Sequence, residues 1–307
     1  MSLNQLLQRV LQSVLTLIGL MLVVFVLIRL TGSPVNLFLP LDASDEMREA
    51  LTAQLGLDQP LGVQFGRWFA DAARLDLGAS LWHSRPAAEV VLEALPHTLA
   101  LGAIVLTLAT LGAVVVGALA AFRPHGLFDR LASAGSLMGA SVPDFWIALM
   151  AVLLFAVSLH WLPTSGYGGA QYWVLPVATL VFRPFGVLVQ IVRGSMIAAF
   201  TAPYIRTARA KGAQNRRVIF VHALRNALLP MVTVAGDLAA QLAGGVTVIE
   251  TVFGWPGIGK LMIDAILQRD FAVLQAGILA VAAVIVLINI VIDLLYPLID
   301  PRVRGQT

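Results

Sequence analysis

Six apolar runs, each about as long as a helix needs to cross a bilayer, leave this chain very few ways to fold. At about 1.5 Å of rise per residue, roughly 20 apolar residues cover the roughly 30 Å of hydrocarbon. The runs are Leu11–Leu30, Leu99–Phe122, Leu131–Leu159, Tyr172–Val192, Met231–Glu250 and Leu274–Tyr296. Lipid offers an irregular backbone no hydrogen-bond partners, so the runs must be helical. The expected fold class is all-α integral membrane with six transmembrane helices, the third bent at Pro143. Of 307 residues, 59% are hydrophobic and 12% charged, far from a soluble average.

A cleavable leader competes for the first run, but its apolar stretch exceeds a typical signal core and no A-x-A site follows, so a retained helix is expected. Lys and Arg outside the spans set the orientation. Arg9, the segments Arg123–Arg130 and Arg193–Arg225, and Arg302 and Arg304 carry most of the basic residues. With an even number of spans they share a side with both termini, which are therefore expected in the cytoplasm. The segment 31–97 then faces outward. Nine of the 17 acids fall between Asp42 and Glu93, and the segment contains no Lys. Its apolar residues recur at helical spacing around Trp68 and Phe69, as in short amphipathic helices at an interface. Such helices either cover the span ends or offer a landing surface to an external partner. No fixed-period repeat divides the chain, which reads as one domain, 1–307.

Between the fourth and fifth runs, residues 193–230 hold seven Arg or Lys and no acid. An ordinary positive-inside loop lying on anionic lipid accounts for the charge. It does not account for the order of small and breaking residues. Pro203 suits the first turn of a helix over Tyr204–Lys211, and Gly212 suits its end. A second helix is expected over Arg216–Ala227, ending before Pro230. The first piece sets Arg206, Arg209 and Lys211 among the small Ala208 and Ala210, a narrow basic helix able to enter a groove on another protein. Nucleic acid is excluded as the partner because the flanking spans fix the loop at a membrane.

Chemistry is hard to place here. Absence of Cys removes disulfides, thiol catalysis and Cys-bound metal. The five histidines, at 83, 97, 125, 160 and 222, form no i, i+4 pair, and no HExxH, GxSxG or P-loop occurs. No catalytic, cofactor or metal residues are therefore assigned. Charges inside spans carry more weight, since each is costly in lipid unless it faces a cavity or a partner. Arg183 and Asp237 are such charges, facing a shared polar cavity as an ion pair or as substrate contacts; snorkelling or helix packing is the structural alternative for Arg183. Asp144, after Pro143, is expected to cap the helix that restarts there. The fifth run carries Gln241 among small residues, Gly236, Ala240, Gly244 and Gly245, which either pack helices closely or leave room for a solute. Arg183, Asp237, Gln241, Gly244 and Gly245 are the candidates for a translocation path.

TARAKG at 207–212 and LRNALLP at 224–230 resemble the coupling motif of inner-membrane permeases of binding-protein-dependent ABC importers, in the dipeptide, oligopeptide and nickel branch. LGLDQPL at 55–61, LDLGAS at 75–80, RPAAEVV at 85–91, SVPDFW at 141–146, WLPTSGY at 161–167, ETVFGWPGIGKL at 250–261, RDFAVLQA at 269–276 and IDPRVR at 299–304 are similar to that branch as well. The resemblance implies the type I importer architecture, a second homologous permease, two ATPase subunits carrying ATP and Mg²⁺, and an external solute-binding protein, all at a bacterial inner membrane. It also implies that Tyr204, Arg206, Thr207, Ala208, Arg209, Ala210, Lys211 and Gly212 form the coupling helix, with Arg225, Asn226 and Pro230 shaping the return into the fifth span. The broader importer motif begins Glu-Ala-Ala where this chain has Arg206, Thr207 and Ala208. This chain would supply half of an alternating-access path and no hydrolysis. Peptides lead as solute; nickel or a nickel chelate is the alternative, because WLPTSGYGG resembles nickel permeases. An ion-coupled secondary transporter would instead need Asp237 and Glu250 as its ion site. A membrane-embedded enzyme would need a constellation that is not visible.

Overall fold

The computed structural model describes residues 3–30, 44–54, 56–80, 82–214 and 217–299. Among these the chain is helix and turn, with one isolated bridge between Ala79 and Pro86. In chain order the helices are α1 (Leu3–Leu30), α2 (Asp45–Gln54), α3 (Leu61–Ala73), α4 (Ala87–Phe122), α5 (Leu127–Ser141), α6 (Asp144–Ala151), α7 (Gln171–Thr201), α8 (Pro203–Ala210), α9 (Leu224–Gly245), α10 (Thr247–Val252), α11 (Ile258–Leu267) and α12 (Phe271–Ile299). A π-helical stretch, Val152–Ser158, extends α6, and another, Val218–Ala223, leads into α9.

Each expected run becomes helix, with different ends. Among the described residues α4, α7, α9 and α12 are long and apolar enough to cross a membrane. Helix α5 and α6 with its extension reach that length and apolarity only as a pair bent by 99°, the geometry of a broken span or of a re-entrant loop, so the expected count of six is not reached among the described residues. The apolar stretch of α1 is shorter, Leu11–Leu27. The bend expected at Pro143 is thus a break: Val142 and Pro143 are both extended, and proline has no N–H to continue the ladder. Pro143 itself takes the position before α6, so Asp144 is the first helical residue and makes no capping hydrogen bond. Helix α4 begins at Ala87, inside the segment expected to be an outer loop to residue 97. The helix expected to stop before Pro230 runs straight through it into α9. In turn α9 ends at Gly245, and Glu250 lies in the separate α10. Consecutive glycines are poor helix formers and stop α9 early.

The described residues form two compact units. The larger takes 97–260 and the chain from 284 onward. In it α5 meets α7 at two glycines: a Cβ on Gly139 would lie 3.0 Å from the Phe182 carbonyl oxygen, and one on Gly186 would meet the backbone of Ser136. One apolar cluster gathers Leu101, Leu180, Ile249 and Trp255, and another gathers Ala113, Leu188, Met196 and Met231. The smaller unit takes the chain up to 96 with 261–283. Here the amphipathic helix α3 lays Phe65 and Trp68 against Phe25 of α1, with ring centroids 5.4 and 5.9 Å away. Trp68 Nε1 donates to Gln275 Oε1 at 3.1 Å, and Trp82 Nε1 to the Gln268 carbonyl at 3.0 Å. Ser80 Oγ donates to the buried Asp270 carboxylate at 2.5 Å. The contacts of Phe65 and Trp68 make α3 part of the scaffold, and the bonds of Ser80 and Trp82 do the same for the segment after it.

Candidate functional site

The short basic helix forms where sequence placed it. Ala202 is extended, as the residue before a proline must be, and α8 starts at Pro203. Thr207 Oγ1 donates to the Pro203 carbonyl at 3.1 Å. At the other end Gly212 has φ +79°, and Ala213 N–H donates back to the Ala208 carbonyl at 3.1 Å, the six-to-one bond of a Schellman closure. Ile205 is fully buried, while Tyr204, Arg206, Thr207, Ala210, Lys211 and Gly212 are exposed. Among the described side chains Ile205 anchors the helix, and Tyr204, Arg206 and Thr207 are presented outward. The Arg209 side chain, and those of residues 220–222, lie outside the described set. Arg225, Asn226 and Pro230 are exposed on α9 rather than in a separate turn.

Along α9, Asp237, Gln241 and Gly244 are exposed at i, i+4 and i+7, one helix face, and the same row reaches back to Asn226 and Pro230. Gly236 points elsewhere, packed on Ile292 of α12. Gly245 closes the helix. A cavity of about 500 Å³ opens beside this row, lined by Asp144, Arg183, Gln241 and Gly244 with Leu180, Pro184, Leu238 and others. Arg183, Gln241 and Gly244 line this cavity together. Asp237 does not line this cavity with Arg183; the acid there is Asp144, which the break at Pro143 turns inward.

Besides Asp270, two buried carboxylates hold the larger unit together: Glu250, whose place near a span end suits structural hydrogen bonds, and Asp129, which the sequence did not single out. Glu250 is fully buried. Its Oε1 accepts from Thr98 Oγ1 at 2.6 Å, and its Oε2 accepts the Gly259 and Lys260 N–H groups at 2.8 and 3.1 Å. Thr98 Oγ1 also accepts the Ile258 N–H at 2.8 Å. The first three N–H groups of α11, which a helix leaves orphaned, are all satisfied from outside it. A side chain on Gly257 would fall on that carboxylate, and one on Gly259 would lie 2.6 Å from Thr247 Cα. Burial pushes the Glu250 carboxyl above its ordinary value, and the bonds from Thr98, Lys260 and Gly259 oppose this. The signal was in the sequence: a Glu followed by GxG is a carboxylate near bare backbone donors. The second is Asp129, 2% exposed, which is forked by Arg193 Nε and Nη2 and accepts the His125 N–H at 2.8 Å. Among the described residues no group of His, Asp or Glu could hold a metal ion.

Several apolar helices long enough to cross a membrane, a largely apolar cavity that carries Asp144, Arg183 and Gln241 on its walls, and an exposed basic helix between two of the long helices define a multi-pass membrane transport component. The chain belongs to the binding-protein-dependent transport system inner membrane components, whose family model matches residues 113–305. It is 37% identical to the di/tripeptide transport system permease protein DppB of Pseudomonas aeruginosa, covering 95% of this chain and 96% of that one. It is 36% identical to the dipeptide transport system permease protein DppB of Alkalihalophilus pseudofirmus, covering 97% and 98%. Among solved structures, the MetNI methionine ABC transporter in inward-facing conformations superposes with a TM-score of 0.57 at 18% identity, over 69% of this chain and 96% of that one. The fold is therefore that of a type I importer permease.

Proposed function

We propose that this chain is one of two permease subunits of an ATP-driven importer that moves di- and oligopeptides across the inner membrane by alternating access. The observation that carries the reading is likeness along nearly the whole chain to permeases named for di- and tripeptides. It favours peptides over nickel. The domain spans 1–307, with both termini and residues 193–230 at the cytoplasmic side and 31–97 outside. ATP and Mg²⁺ act on the two ATPase subunits, and an external binding protein delivers the solute. Helix α8 and Gly212 form the coupling element, with Arg225, Asn226 and Pro230 at the root of α9. The exposed row on α9 supports a path completed by the second permease, and Arg183 stands beside it.

The test is the complete complex in proteoliposomes with its binding protein. Labelled di- to hexapeptides should enter with ATP and stay out without it, and peptide-loaded binding protein should stimulate hydrolysis. Uptake driven by a proton gradient after ATP depletion would overturn the importer reading. Uptake of Ni²⁺ but of no peptide would overturn the solute.

A further inference from the structure

The cavity among α6, α7, α9 and α12 holds two opposite charges that have not paired. Asp144 and Arg183 line the same space and attract each other across it, yet among the described residues no contact salt bridge or hydrogen bond joins them. Asp144 Oδ1 is shielded and has no hydrogen-bond partner there. Charges within spans face a partner or a water-filled cavity, and a space with both signs on its walls offers counter-charges to a ligand that carries both. Other polar capacity lies on the same walls. Gln241 offers an amide that both donates and accepts. Pro184 lacks the N–H that the Leu180 carbonyl would accept in an unbroken helix, and both residues line the cavity. About 500 Å³ is within the range of small-molecule sites.

We infer that this cavity binds a short peptide in transit by its two free ends. Asp144 takes the terminal ammonium, Arg183 takes the terminal carboxylate, and Gln241 pairs with the amide between them. A dipeptide supplies these three groups in that order. The inference rests on the peptide reading above and gives it a chemical requirement, that both termini be unblocked.

Equilibrium dialysis of the complete permease and ATPase complex, without binding protein, against labelled Ala-Ala, N-acetyl-Ala-Ala and Ala-Ala amide tests it. Wild type should bind Ala-Ala saturably and each blocked peptide about tenfold more weakly. Asp144→Asn should lower Ala-Ala to the level of the acetylated peptide, and Arg183→Gln to the level of the amide. Arg183→Lys, which keeps the charge, should retain most of the binding. Assembly of every variant is checked by size exclusion. Equal binding of Ala-Ala by wild type, Asp144→Asn and Arg183→Gln would overturn the site. So would vesicle uptake of Ala-Ala by a wild-type complex that shows no saturable binding. In both cases peptide import itself would stand. A wild-type complex that takes up no peptide at all would bring down both.

Discussion

Glu250 does for α11 what a capping side chain does for most helices, from another helix and with both oxygens in use. Its neighbours have no room to vary. Gly257→Ala places a methyl on the carboxylate and should cost about 2 kcal/mol through overpacking, read as a lower melting temperature of the purified complex. Glu250→Gln should also destabilise, by about 1–3 kcal/mol, because an amide cannot accept at both ends: with its oxygen on the Gly259 and Lys260 N–H groups, its nitrogen leaves the Thr98 hydroxyl without its acceptor. The pH dependence has a definite sign. A carboxyl raised by burial contributes stability that is complete below the ordinary carboxylate value and is lost as pH rises through the raised one. The deficit of Glu250→Gln relative to wild type should therefore narrow as pH climbs from the ordinary carboxylate range towards neutrality. A deficit that widens would mean the carboxylate, not the acid, is the favoured form.

At the scale of elements, α8 was legible because its boundaries are set by local stereochemistry. Pro203 fixes its own φ, and Gly212 adopts φ +79° where an L side chain is strained. No atom lies within 4 Å of a Cβ built on Gly212, so a substitution there acts through backbone strain and not through a clash. Gly212→Val should abolish peptide-stimulated ATP hydrolysis while the complex still assembles in the membrane, and so should Arg209→Glu. Unchanged stimulation in both would remove the coupling role from α8. Harder to read were the ends of the spans. Pro230 looked like a stop, yet the α-helix continues through it. The Asp129 and Arg193 pair was invisible because its members are distant in sequence and belong to α5 and α7. Asp129→Ala would leave Arg193 beside an empty site at the root of the basic region. About 3 kcal/mol of destabilisation is expected, measured as thermal stability, with partial recovery in the double variant Asp129→Ala, Arg193→Met.

For the whole molecule, hydropathy conveyed the class and four of the six expected crossings outright, since apolar length is what a bilayer demands of a helix. It could not convey which charges share a space, because that depends on how helices break and rotate; Asp144, which lines a cavity with Arg183, stands directly after the break at Pro143, where α5 and α6 part through 99°. The absence of native Cys makes the α9 row directly testable. Gln241→Cys and Gly244→Cys should react with a charged, water-soluble thiol reagent in the assembled complex, and Leu287→Cys, exposed on α12, should not if lipid covers it. Equal protection at all three would show that the α9 row is not a water-accessible path. Thr98 meets the Ile258 N–H across 160 residues of chain, and this has a consequence for biogenesis. During synthesis α4 emerges long before α11, so the start of α11 can be completed only against a helix already inserted. Errors in placing α4 should therefore surface as protease sensitivity near residue 258, far from the residue at fault.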